Sequence, residues 1–149
     1  MSDHHPPLNP GRPMHLWIVG VLSLLWNLMG IYDYLMTQTK NEAYLSKFTP
    51  EQLDYFYSFP IWVESAWAIA VWSAVVGSIL LLLARKWAVP VFLVSMVAMV
   101  LTAIYNYGLS NGLEVMGDPF SLVFTVFIFI VTVFLFLYSR AMAARGVLR

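Results

Sequence analysis

PFSLVFTVFIFIVTVFLFLYSRA, residues 119–141, decides the fold, because its first charged residue is Arg140. A helix needs about 20 mostly apolar residues to cross the hydrocarbon core of a bilayer. At a rise of about 1.5 Å per residue, this segment reaches about 34 Å. It therefore predicts a transmembrane helix.

Three more stretches of this kind precede it in the chain, at residues 14–36, 60–84 and 87–109. They lack the alternating polar and apolar pattern of a membrane β-strand. The sequence therefore predicts an all-α integral membrane four-helix bundle over residues 14–141. We expect residues 1–13, which are rich in proline, to form a disordered cytoplasmic tail, and residues 142–149 to form a basic cytoplasmic tail.

The composition supports a membrane protein and excludes several other classes. Hydrophobic residues make up 60% of the chain and charged residues 11%, with a mean hydropathy of +0.74. Soluble domains are about 45–50% apolar and about 25% charged. Because eight Lys and Arg balance eight Asp and Glu, the chain lacks the basic excess of a nucleic-acid-binding protein.

Residue types that carry catalysis or bind cofactors are scarce. The chain has no cysteine, which excludes disulfides, thiolate metal sites and cysteine nucleophiles. His15 is the only histidine near a predicted helix, so haem cannot be held between two histidines of the bundle. We therefore expect neither an enzyme nor a metal or cofactor site.

The basic residues predict the orientation of the chain. Six of the eight lie in the two tails, at the end of the last predicted helix (Arg140) and in the connection between helices 2 and 3, whereas Lys40 and Lys47 lie in the connection between helices 1 and 2. The positive-inside rule then places both termini in the cytoplasm. We call the opposite side of the bundle, which carries Lys40 and Lys47, the outer end.

The connection between helices 1 and 2 contains a helix signal of its own. Thr49-Pro50-Glu51-Gln52 is typical of a capping box with proline in the first helical turn. Apolar residues follow at helical spacing, which predicts a short amphipathic helix, or two, on the outer surface. This segment could anchor at the membrane surface, form a lid over the outer end of the bundle, or dock a partner.

Each predicted span also carries a stripe of small and polar residues. These stripes are Gly20, Ser23, Asn27, Gly30 and Tyr34; Ala66, Ala70, Ser73 and Gly77; Ser95, Ala98, Thr102 and Asn106; and Ser121, Thr125, Thr132 and Ser139. Such residues mark helix–helix contacts in membranes. The stripes either pack together or line a narrow cavity.

Ionisable side chains inside a membrane are a reason to look for a site. Counted from the outer boundary, Asp33, Glu64 and Asn106 each lie about 5–6 Å deep, which predicts one shared polar layer. The candidate ligand-binding residues are Asp33, Glu64, Asn106, Asn27, Tyr34, Trp67, Tyr105 and Thr102. Alternatively, the acids tie down the outer connections and bind nothing.

Three short motifs carry a resemblance to a protein family. Residues 25–34 (LWNLMGIYDY), 62–64 (WVE) and 105–107 (YNY) resemble a group of small, uncharacterised four-helix bacterial inner-membrane proteins, some of which carry the automatic label "sugar transporter". The resemblance covers most of the chain, residues 14–149, and implies a small multi-pass protein of a bacterial inner membrane; the label itself implies no established activity.

Two functions follow from these observations. The first is a component that binds or transports a small sugar-like or cationic solute in an outward-facing polar pocket, which would require a homo-oligomer or a larger partner. The second is a non-catalytic accessory or assembly subunit of a membrane complex. Acids that converge in the interior favour the first function, and acids paired with the loops around a solid interior favour the second.

Overall fold

The computed structural model describes residues 13–115 and 119–149, which form helices and contain no strand. The elements are α1 (Met14–Gln38), α2 (Glu42–Leu45), α3 (Pro50–Tyr57), α4 (Ile61–Leu82), α5 (Ala88–Ile104), a π-helical turn (Tyr105–Leu109), α6 (Gly112–Val115) and α7 (Pro119–Ala144).

Four of these helical segments are long and apolar enough to cross a membrane, which confirms the predicted all-α four-helix class. They are α1, α4, α5 with its π-helical turn, and α7, with mean hydropathies from 1.7 to 2.9. The predicted boundaries differ from the observed ones by a few residues. The largest difference is at α7, which continues to Ala144 and takes in the start of the predicted C-terminal tail.

The long helices form an antiparallel bundle in which neighbours in sequence are neighbours in space. Helix α4 packs against both α1 and α5, and α5 packs against α7. Helices α1 and α7 meet through large side chains, since the Trp26 ring contacts those of Phe124 and Phe127 at 5.7 and 5.1 Å. At the other end of this pair, His15 Nδ1 lies 2.5 Å from the Tyr138 hydroxyl.

The predicted stripes of small residues are the packed faces of the bundle. Gly20, Ala70, Gly77, Ser95 and Ser139 are all buried. Larger apolar residues point outward on each long helix. Small side chains let helix backbones approach closely where no hydrophobic effect drives helices together. The stripes therefore serve packing.

The inner end of the bundle is closed by the chain itself. The segment after α7 folds back onto the turn between α4 and α5, where Arg149 N donates to Ala84 O at 2.9 Å and Lys86 N donates to Arg149 O at 3.0 Å. This return buries Leu148 completely, in a cluster with Leu16 and Phe92. The last residues thus belong to the folded bundle rather than to a separate tail.

Candidate functional site

The outer end carries the short helices α2 and α3, as the sequence predicts. The capping box at α3 is confirmed: Thr49 Oγ1 accepts from Gln52 N at 3.2 Å, and Gln52 Oε1 accepts from Thr49 N at 3.1 Å. Because both bonds satisfy backbone N–H groups at its start, α3 begins at a fixed residue.

Tyr55 fixes α3 onto the bundle, and the sequence analysis did not select it. Its side chain is buried, and its hydroxyl donates to Asn106 Oδ1 at 2.6 Å and lies 2.8 Å from Ser110 Oγ. Gly112 lies so close that a Cβ there would be 2.6 Å from the Tyr55 oxygen. Asn106, predicted as a ligand-binding residue, therefore binds α3.

The π-helical turn is where α5 departs from the continuous helix predicted for residues 87–109. After Ile104 the chain forms one wide turn, and Ser110 Oγ donates to Tyr105 O at 2.8 Å. Such turns occur mostly as single insertions in α-helices, frequently at functional positions. Here the turn carries both Asn106 and Tyr105, the residues that contact the outer connection.

Asp33 is paired in the same way with α2. The Tyr44 hydroxyl donates a hydrogen bond to Asp33 Oδ1, and Lys47 Nζ lies over the Tyr44 ring, 4.6 Å from its centroid. Burial raises the pKa of Tyr44, and the hydrogen bond to Asp33 raises it further. The carboxylate therefore holds α2 against α1, which is the structural alternative raised from the sequence.

A chain of aromatic rings runs across the outer end, between the Asp33–Tyr44 hydrogen bond and the π-helical turn that carries Asn106. Successive ring centroids lie 5.3–6.3 Å apart, mostly in edge-to-face geometry. The rings are Tyr32, Tyr44, Phe48, Phe56, Phe59, Tyr105 and Trp62. Aromatic pairs of this kind each contribute about 0.5–1.5 kcal/mol beyond the area they bury. The outer connection is therefore a packed cap over the bundle.

The candidate residues that lie deeper in the bundle also make their contacts within the chain. Asn27 Nδ2 donates to Ser78 Oγ at 2.8 Å and to Ala74 O at 3.2 Å, which joins α1 to α4. Thr102 Oγ1 donates to Ala98 O at 3.0 Å within its own helix. Tyr34 and Trp67 pack edge to face against each other at 5.0 Å. The amide nitrogen of Asn27 and the hydroxyl of Thr102 thus donate within the chain.

The predicted single polar layer is wrong, because the antiparallel register separates its members. Tyr34 meets Trp67, which places Asp33 level with Ala68 of α4. Tyr105 meets Trp62 at 5.7 Å, which places Asn106 near the level of Ile61. Asp33, Glu64 and Asn106 thus occupy successive levels over seven residues of α4, or about 10 Å.

Glu64 is the one candidate carboxylate without a hydrogen bond from another described residue. It lies half-buried in the first turn of α4. Negative charge is favourable there because the helix dipole and the free amide groups of the first turn attract it. Within residues 13–115 and 119–149, no group of three or more His, Asp or Glu side chains is placed to hold a metal ion.

Two open concavities on the described surface are lined by residues other than the predicted ones. One is a groove of about 460 Å³ between α2 and α3. The other is a shallow apolar depression on α7, lined by Phe129, Ile130, Val133, Phe134 and Leu137. In the part of the chain that the structure describes, every buried side-chain nitrogen or oxygen has a hydrogen-bond partner.

The raised pKa of Tyr44 predicts how the cap responds to alkaline pH. The ordinary tyrosine value is 10.0, so the stability contributed by the protonated hydroxyl is fully present below pH 10.0 and is lost as the pH rises through the higher folded-state value. We expect thermal stability to fall in that range, together with the appearance of tyrosinate absorbance. In Y44F the fall in thermal stability should be smaller. A pH profile of Y44F identical to that of the wild type would show that Tyr44 is not the group responsible.

Comparison with known proteins adds no candidate activity. No family model, curated protein or solved structure significantly matches the chain.

Proposed function

We propose that this chain is a non-catalytic accessory or assembly subunit of a complex in a bacterial inner membrane. One observation carries the proposal: Asp33, Asn106, Asn27 and Thr102, four of the non-aromatic candidate residues, already use their polar groups to hold this chain together. A solute site needs polar groups that converge on an open space and remain free to bind.

The closure of both ends supports the same proposal. Tyr55 and its aromatic neighbours cover the outer end, and the return of the C-terminal segment fills the inner end around Leu148. Between them, small residues bring the helices into direct contact, as at Gly77 and Phe92. A path for a solute would require both ends and this packing to open.

The lipid-exposed surface is where such a subunit would act. Phe120, Phe124, Phe127 and Phe134 of α7 are 42–78% exposed. Helix α7 also has the highest mean hydropathy of the four spans, and only 11% of its apolar 18-residue stretch is buried within the chain. Lipid, a helix of another membrane protein, or a second copy of this chain can cover this face, and we propose that the functional contact is with a different membrane protein.

We also propose that both termini lie in the cytoplasm. Arg85, Lys86 and Arg149 meet at the inner end, and basic residues are enriched at the cytoplasmic ends of membrane helices. In this chain without cysteine, E51C should react with a membrane-impermeant maleimide added to whole spheroplasts, because Glu51 is exposed on α3. R145C should react only after the membrane is opened, and the reverse pattern would contradict the orientation.

The mass of the assembly tests the proposed role. After extraction with its surrounding lipid by a styrene–maleic acid polymer, the 17.0-kDa chain should appear by native mass spectrometry in a particle with a different polypeptide at fixed stoichiometry. A monomer or homodimer that contains this chain alone would contradict the accessory role.

Solute binding is a second candidate function, and Glu64 is the residue that supports it. Its carboxylate has no hydrogen-bond donor among the described residues and lies one turn from the Tyr34–Trp67 pair. Carboxylates and aromatic faces both attract cations. A ligand that binds only the folded state raises the melting temperature. An amine or sugar that stabilises the wild type and E114Q, but not D33N/E64Q, would support this function over the first.

A further inference from the structure

The groove between α2 and α3 combines apolar and acidic residues in its lining. Four apolar residues form most of its lining, with Ser46 beside them: Leu45, Phe48, Pro50 and Leu53. Two exposed carboxylates border it, Glu42 at the start of α2 and Asp54 in the second turn of α3. The groove therefore combines an apolar floor with negative charge at its rim.

The two lysines of the outer connection do not line this groove. Lys47 Nζ lies over the Tyr44 ring at 4.6 Å, and Lys40 Nζ lies over the Tyr57 ring at 5.1 Å. These cation–π contacts direct both ammonium groups toward aromatic faces. The charged side chains in the lining are therefore Glu42 and Asp54.

The floor of the groove is also held rigid. Phe48 packs against Tyr44 at 5.9 Å and against Phe56 at 5.3 Å, and Tyr44 and Tyr55 in turn bind Asp33 and Asn106. Because the two tyrosine anchors fix α2 and α3 relative to the bundle, little conformational freedom is lost when the groove is filled, which favours binding.

We propose that this groove docks a basic, apolar segment of a partner polypeptide at the outer face of the membrane. An aliphatic or aromatic side chain of the segment would lie on Leu45, Phe48 and Leu53, and flanking Lys or Arg residues would lie beside Glu42 and Asp54. This inference rests on the proposed accessory function, since it identifies one surface by which the subunit contacts its partner.

Charge favours a polypeptide over a lipid in this groove. Anionic headgroups are repelled by Glu42 and Asp54, and a zwitterionic headgroup brings its phosphate close to the same carboxylates. Residues 42–54 of the outer connection supply the whole lining, so no residue of a membrane span borders the groove. Complementary charge at such a surface speeds association and selects the partner.

The test uses the full chain in phosphatidylcholine nanodiscs and two fluorescent pentapeptides. The peptide Lys-Leu-Phe-Leu-Arg, blocked at both ends, should bind and increase fluorescence anisotropy, and Glu-Leu-Phe-Leu-Glu should not. E42Q/D54N should weaken binding about fivefold, because two exposed charge pairs are lost. E51Q/E114Q removes the same charge outside the groove and should bind like the wild type.

Three outcomes would overturn the groove proposal: no binding of the basic peptide, equal binding of both peptides, or equal losses in the two double variants. In nanodiscs that contain both phosphatidylcholine and phosphatidylethanolamine, a loss of phosphatidylethanolamine enrichment in E42Q/D54N without a loss of peptide binding would assign the groove to lipid and also overturn the proposal. The native mass of the complex separates the two proposals. If the wild-type complex contains a different polypeptide while the peptide does not bind, the accessory role stands and the groove proposal fails.

Discussion

Replacing Gly77 by alanine should lower the free energy of unfolding by about 1–3 kcal/mol, the usual cost of overpacking a well-packed core. A Cβ at this position would lie 2.7 Å from Phe92 Cε1, and the Phe92 ring is itself fully buried between the inner ends of the helices. The ring cannot move without displacing Leu16 or its other neighbours in the inner cluster. The measurement is the melting temperature in detergent, supported by denaturant unfolding.

Gly30 offers a matched control for the same chemical change. A Cβ there would lie 3.7 Å from Val71 Cγ1, an ordinary contact. G30A should therefore be neutral, or stabilising because alanine favours the helix by about 0.8–1.0 kcal/mol over glycine. F92L should partly rescue G77A, since the shortened side chain leaves room for the methyl group. Equal effects of G77A and G30A would contradict the close α4–α5 packing.

The second large effect is expected at Tyr55. Y55F removes the hydroxyl that donates to Asn106 Oδ1 and leaves that acceptor without its partner in a half-buried position. Unsatisfied groups of this kind cost about 1–3 kcal/mol. Because the loss falls on the docking of α3, amide hydrogen exchange should increase most over residues 50–57, with a smaller change in α4.

Tyr57 provides the control for Y55F. Its hydroxyl also donates a hydrogen bond, to Thr37 O at 2.9 Å, but its ring is 39% exposed and water can replace the bond. Y57F should therefore change stability by less than about 1 kcal/mol. If Y57F increases exchange over residues 50–57 as much as Y55F does, Tyr55 is not the anchor of α3.

Hydropathy made most of the fold predictable. Uninterrupted apolar runs such as residues 119–141 have few folded alternatives in a bilayer, since every backbone polar group must be satisfied within the segment. The capping box at Thr49 is equally local, because its two hydrogen bonds join residues three positions apart. The small-residue stripes were predictable for the same reason, as each follows from spacing within one helix.

The candidate site was less predictable because it depends on contacts between distant residues. Spacing placed Asp33, Glu64 and Asn106 at similar depths, but it could not give the register of α1 and α5 against α4, which separates them. It also could not pair Asp33 with Tyr44 or Asn106 with Tyr55, which lie 11 and 51 residues apart. The sequence did contain one signal of these pairs: tyrosines in the outer connection, close to helix ends that carry a polar residue.

The π-helical turn was hidden for a related reason. The segment YNYGL carries Gly108 and two tyrosines but reads as a continuation of an apolar helix. In this turn Ser110 Oγ donates to Tyr105 O, and the side chain of Asn106 accepts from the Tyr55 hydroxyl, so the turn lies where α3 docks. Polar residues near the ends of membrane helices can thus serve the attachment of a loop instead of a ligand.

The most direct test of a closed bundle is the accessibility of its interior to a water-soluble thiol reagent, which the absence of native cysteine makes possible. E51C, T102C and N27C would each be treated from the outer side in proteoliposomes, with and without amines and sugars. A closed bundle predicts complete labelling of E51C and none of T102C or N27C. Labelling of T102C and N27C that a solute prevents would contradict it and establish an outward-facing pocket.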